Sequence, residues 1–432
     1  MIGRRSGKSP RYFNKHMKVL QVHTTVNMGS IGHIVTDLDE RLAAYGHQGY
    51  IAHARGSANN KAKSIQVGSP IVTGMQVAHT RITDRHGFAF PGSTREFLKK
   101  VEAIDPDLIQ LHNLHGYYLH VGELFRYLRE TGKPVVWTLH DCWAFTGHCT
   151  HFESAGCMKW ETGCYECPKT RYYPASRWLD NSERNYAQKK RLFTAIERMH
   201  IVTPSRWLRE KVARSFLSEK PVSVIHNGID LKLFDPSRGT SSLRFSLPRG
   251  KKIILAVAFR LDGNKGLNDL IELSGHMSED HVIVLVGMNW KEARKLPPGM
   301  NGVPRIRDRR DLARLYAMAT VFVNPTWQDN FPTTNLEALA SGTPVVTYDT
   351  GGSPESLDKA TGRVVPRGDT RAMWDAILEL GKLNRDEVSR ACRKRAEKLY
   401  NKEDRYLDYI RLYEEMTGDH PGTIQHHTKK KH

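Results

Sequence analysis

Residues 324–348, NPTWQDNFPTTNLEALASGTPVVTY, hold two carboxylates eight positions apart, Asp329 and Glu337. A carboxylate accepts two hydrogen bonds from vicinal hydroxyls, which is how acids hold a ribose. Upstream, Arg260 and Lys265 flank one loop. Such a pair can neutralise a diphosphate, the guanidinium as a fork and the ammonium as a point charge. Nearer the N-terminus, His112, His115, His140 and Asp141 follow two apolar runs. A single histidine at such a place is more often structural, but several converging on one sheet edge suit the binding of hydroxyls. Cys149, Cys157, Cys164 and Cys167 are separated by seven, six and two residues. Cys-x2-Cys is half of many zinc sites, and four thiolates would close a structural Zn²⁺ around a loop without its own core. Two disulfides, in an oxidising compartment, or four reduced and packed thiols meet the same spacing. Cys142, beside His140 and Asp141, reads as a small packing residue.

The chemistry needs elements to hold it. Residues 321–323, VFV, read as a buried strand, and 330–334 as a turn. Thr333 or Thr334 is expected to cap a helix through 335–340, with Gly342 ending it and Pro344 opening a strand over 345–348. Asp329 then lies outside the carboxyl end of a strand and Glu337 about one turn into a helix. That crevice is where open α/β sheets bind ligands, and the helix N-terminus suits phosphate. Residues 18–23, 27–33 and 34–42 form strand, Gly loop and helix, the start of a Rossmann-like unit. No GxGxxG follows the strand, so a nicotinamide cofactor is poorly supported. Strands at 108–112 and 135–139 deliver the histidines; further strands fall at 199–203 and 222–226. The pattern restarts at 252–258 and continues at 282–287. Two runs of alternating strands and helices predict two α/β domains divided near residue 235. Residues 55–95 are Gly-, Ser- and His-rich and receive no element, while 370–382 and 385–417 read as terminal helices.

A chain of 432 residues exceeds one ordinary core, and 39% hydrophobic content describes a folded protein. The formal net charge of +19 suits anionic partners: phosphorylated substrates, nucleic acid or an acidic membrane face. Part of that charge sits in a basic tail over residues 1–16 and in a tail over 418–432 expected to be disordered. No apolar run approaches the roughly 20 residues that span a bilayer, and residues 1–16 lack the apolar core of a secretory signal. The expectation is a cytoplasmic protein, in peripheral contact with the membrane at most. A zinc-containing, basic nucleic-acid-binding protein is the rival from another class. Dispersed cations and no recognised binding motif argue against specific nucleic-acid recognition.

Residues 324–348 resemble the Glu-x7-Glu signature of glycosyltransferase family 4, with Asp329 in place of the first Glu and one methylene shorter. Arg260-Leu-x3-Lys265-Gly, Thr138-Leu-His-Asp and Thr350-Gly-Gly-Ser-Pro-Glu355 are similar to other motifs of that family. The Cys-rich insert at 142–168, followed by Tyr173-Pro174, resembles a sub-group of colanic acid and related capsule or exopolysaccharide pathways. The resemblance implies a GT-B fold, α/β, with two Rossmann-like domains facing each other across a cleft. Residues 17–235 would form the acceptor domain and 236–400 the donor domain, with a helix at 401–417 packing back on the first. It implies transfer of a sugar from a UDP- or GDP-sugar, with retention at the anomeric carbon. The acceptor would be a growing saccharide, as a lipid-linked oligosaccharide at the cytoplasmic membrane face. Arg260 and Lys265 would hold the diphosphate, Glu337 the ribose and Asp329 the sugar. Gly29, Asn330, Phe331, Pro332 and Thr333 would complete the donor site. His140 would face the reacting sugar, and His112, His115 and Asp141 the acceptor. Catalysis would need no cofactor; zinc, if bound, would be structural. A GT-B phosphorylase or a nucleotide-sugar epimerase would use the same cleft with phosphate or water.

Overall fold

The computed structural model describes residues 16–58, 63–237, 247–248, 250–258, 263–306 and 308–418. The first domain has strands β1 (Lys18–Val22), β2 (Thr25–Val26), β3 (Gln48–His53), β4 (Arg55–Gly56), β5 (Ser64–Gln66), β6 (Leu108–Leu111), β7 (Val135–Thr138), β8 (Met199–Thr203) and β9 (Val222–Val224). Its helices are α1 (Gly29–Ala44), α2 (Pro70–Thr83), α3 (Gly92–Ile104), α4 (Val121–Thr131), α5 (Ser182–Thr194) and α6 (Arg206–Ala213). The second domain has β10 (Lys252–Val257), β11 (His281–Met288), β12 (Met300–Pro304), β13 (Val321–Asn324), β14 (Val345–Tyr348) and β15 (Gly362–Val365). Its helices are α7 (Leu267–Ser274), α8 (Trp290–Ala293), α9 (Arg309–Met318), α10 (Thr333–Ala340), α11 (Thr370–Gly381) and α12 (Arg385–Leu399); α13 (Lys402–Thr417) ends the described chain.

Both sheets are parallel. The first runs β5-β3-β1-β6-β7-β8-β9 and the second β12-β11-β10-β13-β14-β15. Helices cover both faces of such sheets, so their strands are almost continuously apolar. Every residue of β6 and of β7 is buried. Strand order reverses beside β1 in one sheet and beside β10 in the other. Ligands bind outside the carboxyl ends of strands at such switch points. The loops leaving them carry Gly29 and His112 on one side, and Lys265 and residues 325–332 on the other.

Residues 55–95, left without elements by their composition, contain β4, β5, all of α2 and the start of α3. Ser69 Oγ caps α2 by accepting from Val72 N–H at 3.3 Å, and Pro70 takes the first helical position. The insert at 142–168 has no strand and three short turns of 3-10 helix, Trp143–Phe145, Glu153–Ala155 and Lys159–Glu161. Trp160 packs between Phe145 and Phe152 within it.

Helix α13 belongs in space to the first domain. Tyr406, Tyr409, Ile410, Leu412 and Tyr413 are buried against Val19, Leu38, Leu108 and Val136. Tyr413 Oη donates to Gln110 Oε1 at 3.0 Å, and Tyr409 Oη and Thr138 Oγ1 stand 3.1 Å apart. The chain therefore crosses between the domains twice. The crossings lie side by side: Ile229 N–H donates to Tyr400 O at 2.7 Å and Lys402 N–H to Ile229 O at 3.1 Å. A Cβ on Gly228 would stand 2.6 Å from Lys402 Cα, so this approach requires glycine.

Candidate active site

Lys265 ends a short turn, Gly263–Lys265, ahead of α7. Gly266 follows at φ +77°, and a Cβ there would stand 2.2 Å from Pro325 O. The turn is thus pressed onto the end of β13, and Lys265 Nζ reaches Asp329 Oδ2 at 2.7 Å. Longer contacts of 3.4 Å run to Thr326 Oγ1 and Gln328 O. Arg260 lies outside the described residues.

The expected threonine cap on α10 is not formed. Pro332 occupies the N-cap and offers no side-chain acceptor. Thr333 is the first helical residue, and its hydroxyl donates to Ser30 Oγ of the other domain at 3.1 Å. The first N–H groups of α10 therefore keep their capacity for an anion. Lys265, Asp329, Asn330, Thr333 and Thr334 line a cavity of ≈ 270 Å³ with His140 on the opposite wall.

Glu337 lines an adjoining cavity of ≈ 180 Å³ with Gly29, Ser30, His33 and Arg309; Ser30, Thr333 and Thr334 are common to both. Burial pushes the Glu337 carboxyl up to about 7, against the pull of Arg309 and the Tyr316 hydroxyl. An acid so raised makes stability fall as pH rises from the ordinary carboxyl range through about 7, because the folded state holds the proton more tightly. For ribose hydroxyls the sign is opposite: the carboxylate accepts better than the acid. If only the ionised form holds them, nucleoside diphosphate affinity should rise about tenfold between pH 6 and 8. Glu337→Gln should keep only the slope due to the nucleotide's own phosphate, and matching profiles in calorimetric titrations would refute the contact.

On the first-domain side, His140 Nε2 meets His112 Nδ1 at 3.0 Å, with the rings 18° from parallel. Burial pushes His140 down to about 4, with Asp141 opposing and His115 adding to the fall. It is therefore a neutral hydrogen-bonding group at physiological pH. His112 is 1% exposed and sits beneath His140. Its backbone carbonyl accepts from Trp137 Nε1 at 3.0 Å, so it orients His140 and does not line the three cleft cavities. His115 Nε2 pairs with Asp141 Oδ2 at 2.6 Å, and its Nδ1 meets Tyr173 Oη at 3.0 Å. Burial would raise the Asp141 carboxyl, but His115, His151 and the Trp143 N–H outweigh it and hold it at about 2. Asp141 thus fixes His115, which lines a third cavity of ≈ 380 Å³.

Asn330 and Phe331 also join the domains. Ser205 Oγ donates to Asn330 Oδ1 at 2.6 Å. Phe331 stacks on His226 at 4.7 Å and 14°, and Asn227 Nδ2 donates to Phe331 O at 3.0 Å. Glu355 accepts from the N–H groups of Arg206 at 2.9 Å and Trp207 at 2.7 Å, at the start of α6.

The Cys-rich insert reaches the cleft as well. Gln328 Nε2 donates to Ser154 Oγ, beside Asp329. Burial pushes the neighbouring Glu153 carboxyl up to about 7, with Lys211 and Arg367 opposing and Asp349 and Asp329 reinforcing. Among the described residues its Oε2 has no hydrogen-bond partner. Nothing local in the sequence marks Glu153; only the fold of the insert brings it here. The four cysteines line one cavity of ≈ 10 Å³, and Gly147 N–H donates to Cys164 Sγ at 3.2 Å. All six cysteines are free thiols, and among the described residues no three His, Cys, Asp or Glu side chains are grouped to hold a metal ion.

Two facing Rossmann-like domains, with cations, an open helix N-terminus and histidines converging between them, define a glycosyltransferase of the GT-B class. Two family models match: "Glycosyltransferase Family 4" over residues 31–233 and "Glycosyl transferases group 1" over 251–382. The chain is a glycosyltransferase with a family 4 domain over residues 31–233. It is 25% identical to the putative colanic acid biosynthesis glycosyl transferase WcaC of Escherichia coli (strain K12), over 93% of this chain and all of that one. Its fold is similar to sucrose-phosphate synthase from Thermosynechococcus elongatus, with a TM-score of 0.68 and 19% identity over 93% of this chain and 99% of that one. It is also similar to Anabaena HepE in complex with UDP and glucose, with a TM-score of 0.61 and 14% identity over 92% and 99%. Among the described residues, no helix is long and apolar enough to cross a membrane.

Proposed function

We propose that this glycosyltransferase moves a sugar from a nucleoside diphosphate sugar to a growing, lipid-linked saccharide in exopolysaccharide or capsule assembly, with retention at the anomeric carbon. The observation that carries the reading is the cavity in which Lys265, Asp329 and the open N-terminus of α10 face His140. Departure of the nucleoside diphosphate breaks the bond from the anomeric carbon to phosphate oxygen and leaves charge on the phosphates. Lys265, the α10 dipole and, by its family position, Arg260 stabilise that charge. The acceptor oxygen attacks the face the leaving group vacates, and its proton passes to the departing phosphate oxygen. Glu337 holds the ribose, Asp329 positions the sugar and neutral His140 hydrogen-bonds a sugar hydroxyl. The likeness to WcaC along its whole length supports the pathway, and the surplus of cations supports contact with an acidic membrane face.

Calorimetry and thermal shift with UDP, GDP and ADP, without added metal, test this. One of them, at 100 times its Kd, should stabilise the fold by about 2.7 kcal/mol. No response to any nucleoside diphosphate would overturn the reading. A structural zinc held by Cys149, Cys157, Cys164 and Cys167 is part of the same proposal, supported by the shared cavity these thiols line. Its closure would require the thiols to turn toward one point. Metal analysis of reduced protein should find about one zinc per chain, lost on replacing Cys164 and Cys167 by Ser. A metal-free preparation would mean that the insert is held by packed thiols.

A further inference from the structure

The third cavity continues the donor cleft through Ser30 and Ile31, on the side of the first domain. Its lining includes Arg55, His115, Asn113 and Tyr173. Arg55 is carried by β4, a two-residue strand that pairs with β2. Arg55 N–H donates to Thr24 O at 3.1 Å, which fixes where the side chain leaves the backbone. The guanidinium is exposed, and among the described residues no hydrogen bond or ion pair engages it. Its charge reaches the cavity wall, acting on His23, Tyr117 and Tyr173. Arg81 adds a second positive charge beside Tyr117. The nearby carboxylate, Asp141, is occupied by His115 and by the Trp143 N–H at 2.9 Å. An exposed guanidinium thus stands over a cavity with no carboxylate among the described residues that line it. Tyr173 supplies the other requirement of a saccharide site, a fixed and partly exposed ring. It is 43% exposed, held by His115 through its hydroxyl and packed edge-on to Tyr117 at 5.8 Å. Such a ring offers an apolar face with a polar tip.

We infer that this cavity is the acceptor subsite and that the acceptor is an anionic saccharide, its carboxylate or phosphate paired with Arg55 and its ring laid on Tyr173. The inference rests on the donor reading above, since it takes the neighbouring cavity to hold the nucleotide. A guanidinium binds either oxyanion by paired N–H donors, which a neutral hydroxyl cannot match.

The test is an NMR titration of the intact protein, saturated with UDP, with glucuronic acid, glucose 6-phosphate and glucose. At least one charged sugar should bind about tenfold tighter than glucose. Preference for glucuronic acid would identify a carboxylate acceptor, and preference for glucose 6-phosphate a phosphorylated one. In Arg55→Gln the three sugars should bind alike, while UDP affinity stays at the wild-type value. Equal affinities in the wild type, a preference that survives in Arg55→Gln, or a fall in UDP affinity in that variant would overturn the assignment. Where UDP does not bind the wild type, the same titration is run with GDP or ADP; failure of all three would count against the donor reading instead, and the sugar titrations would still report on Arg55.

Discussion

Replacing Lys265 by Ala should lower turnover by about 10²–10³-fold and leave the fold intact. The loss is that of a positive group aimed where charge develops as the diphosphate leaves, and a preorganised donor of that kind is worth about 2.7–4 kcal/mol. The fold should survive because the Lys265–Asp329 pair is not deeply buried: its side chains are 37% and 24% exposed. Pairs so placed contribute about 1 kcal/mol or less. Lys265→Arg separates charge from geometry. It keeps the cation on a longer, planar head and should recover part of the rate, since the turn against Pro325 holds the backbone in place. Steady-state rates together with a thermal melt decide the matter. Near-wild-type turnover in Lys265→Ala would remove the residue from the diphosphate site, and a collapsed melt would mean that the ion pair supports the fold.

The largest structural effect should come from the far end of the chain. A protein ending at Asn401 loses five buried side chains of α13. At about 1.5–3 kcal/mol each, their burial amounts to the order of 10 kcal/mol, comparable with the whole stability of a domain. Such a chain should fail to accumulate as folded protein. Tyr413→Ala, a graded version, should cost about 3–5 kcal/mol. Tyr413→Phe should cost about 1–3 kcal/mol, because it removes only the hydroxyl that satisfies Gln110 Oε1. Urea titrations give these values directly, and a truncated chain that melts with the wild type would show α13 to be an accessory.

How much of this was legible in the sequence follows from physical range. The strands at 108–111, 135–138 and 281–288 stand out because a parallel sheet is covered on both faces and its strands need no polar side. The motifs at Lys265, Asp329 and Glu337 stand out because each is local to one strand-to-helix turn. Helix α2 is not legible in the sequence because its pattern is inverted. Gln76 and Thr80 are its buried residues, while Ile71 and Ile82 face outward at 75% and 52% exposure. The cap of α10 went to Pro332, since Thr333 is drawn to Ser30 across the cleft. His112 and His140 look alike at their strand ends; depth alone makes one a support and the other a wall of the site. Glu153, Arg55 and the clasp of Glu355 on α6 depend on pairings far apart in the chain, which no spacing announces.

The paired crossings at Ile229 and Asn401 have a mechanical consequence. Two chain segments bonded side by side behave as a strap with two pins. A strap bends readily across its width but resists torsion about its length, because torsion would stretch one crossing against the other. Opening and closing of the two domains should therefore follow a single arc, with Gly228 close to its axis. Along that arc Lys265 and His140 approach without sliding sideways. The two halves of the site would then meet in one register each time they shut, so alignment of donor and acceptor is built into the joint and need not be found anew at every turnover.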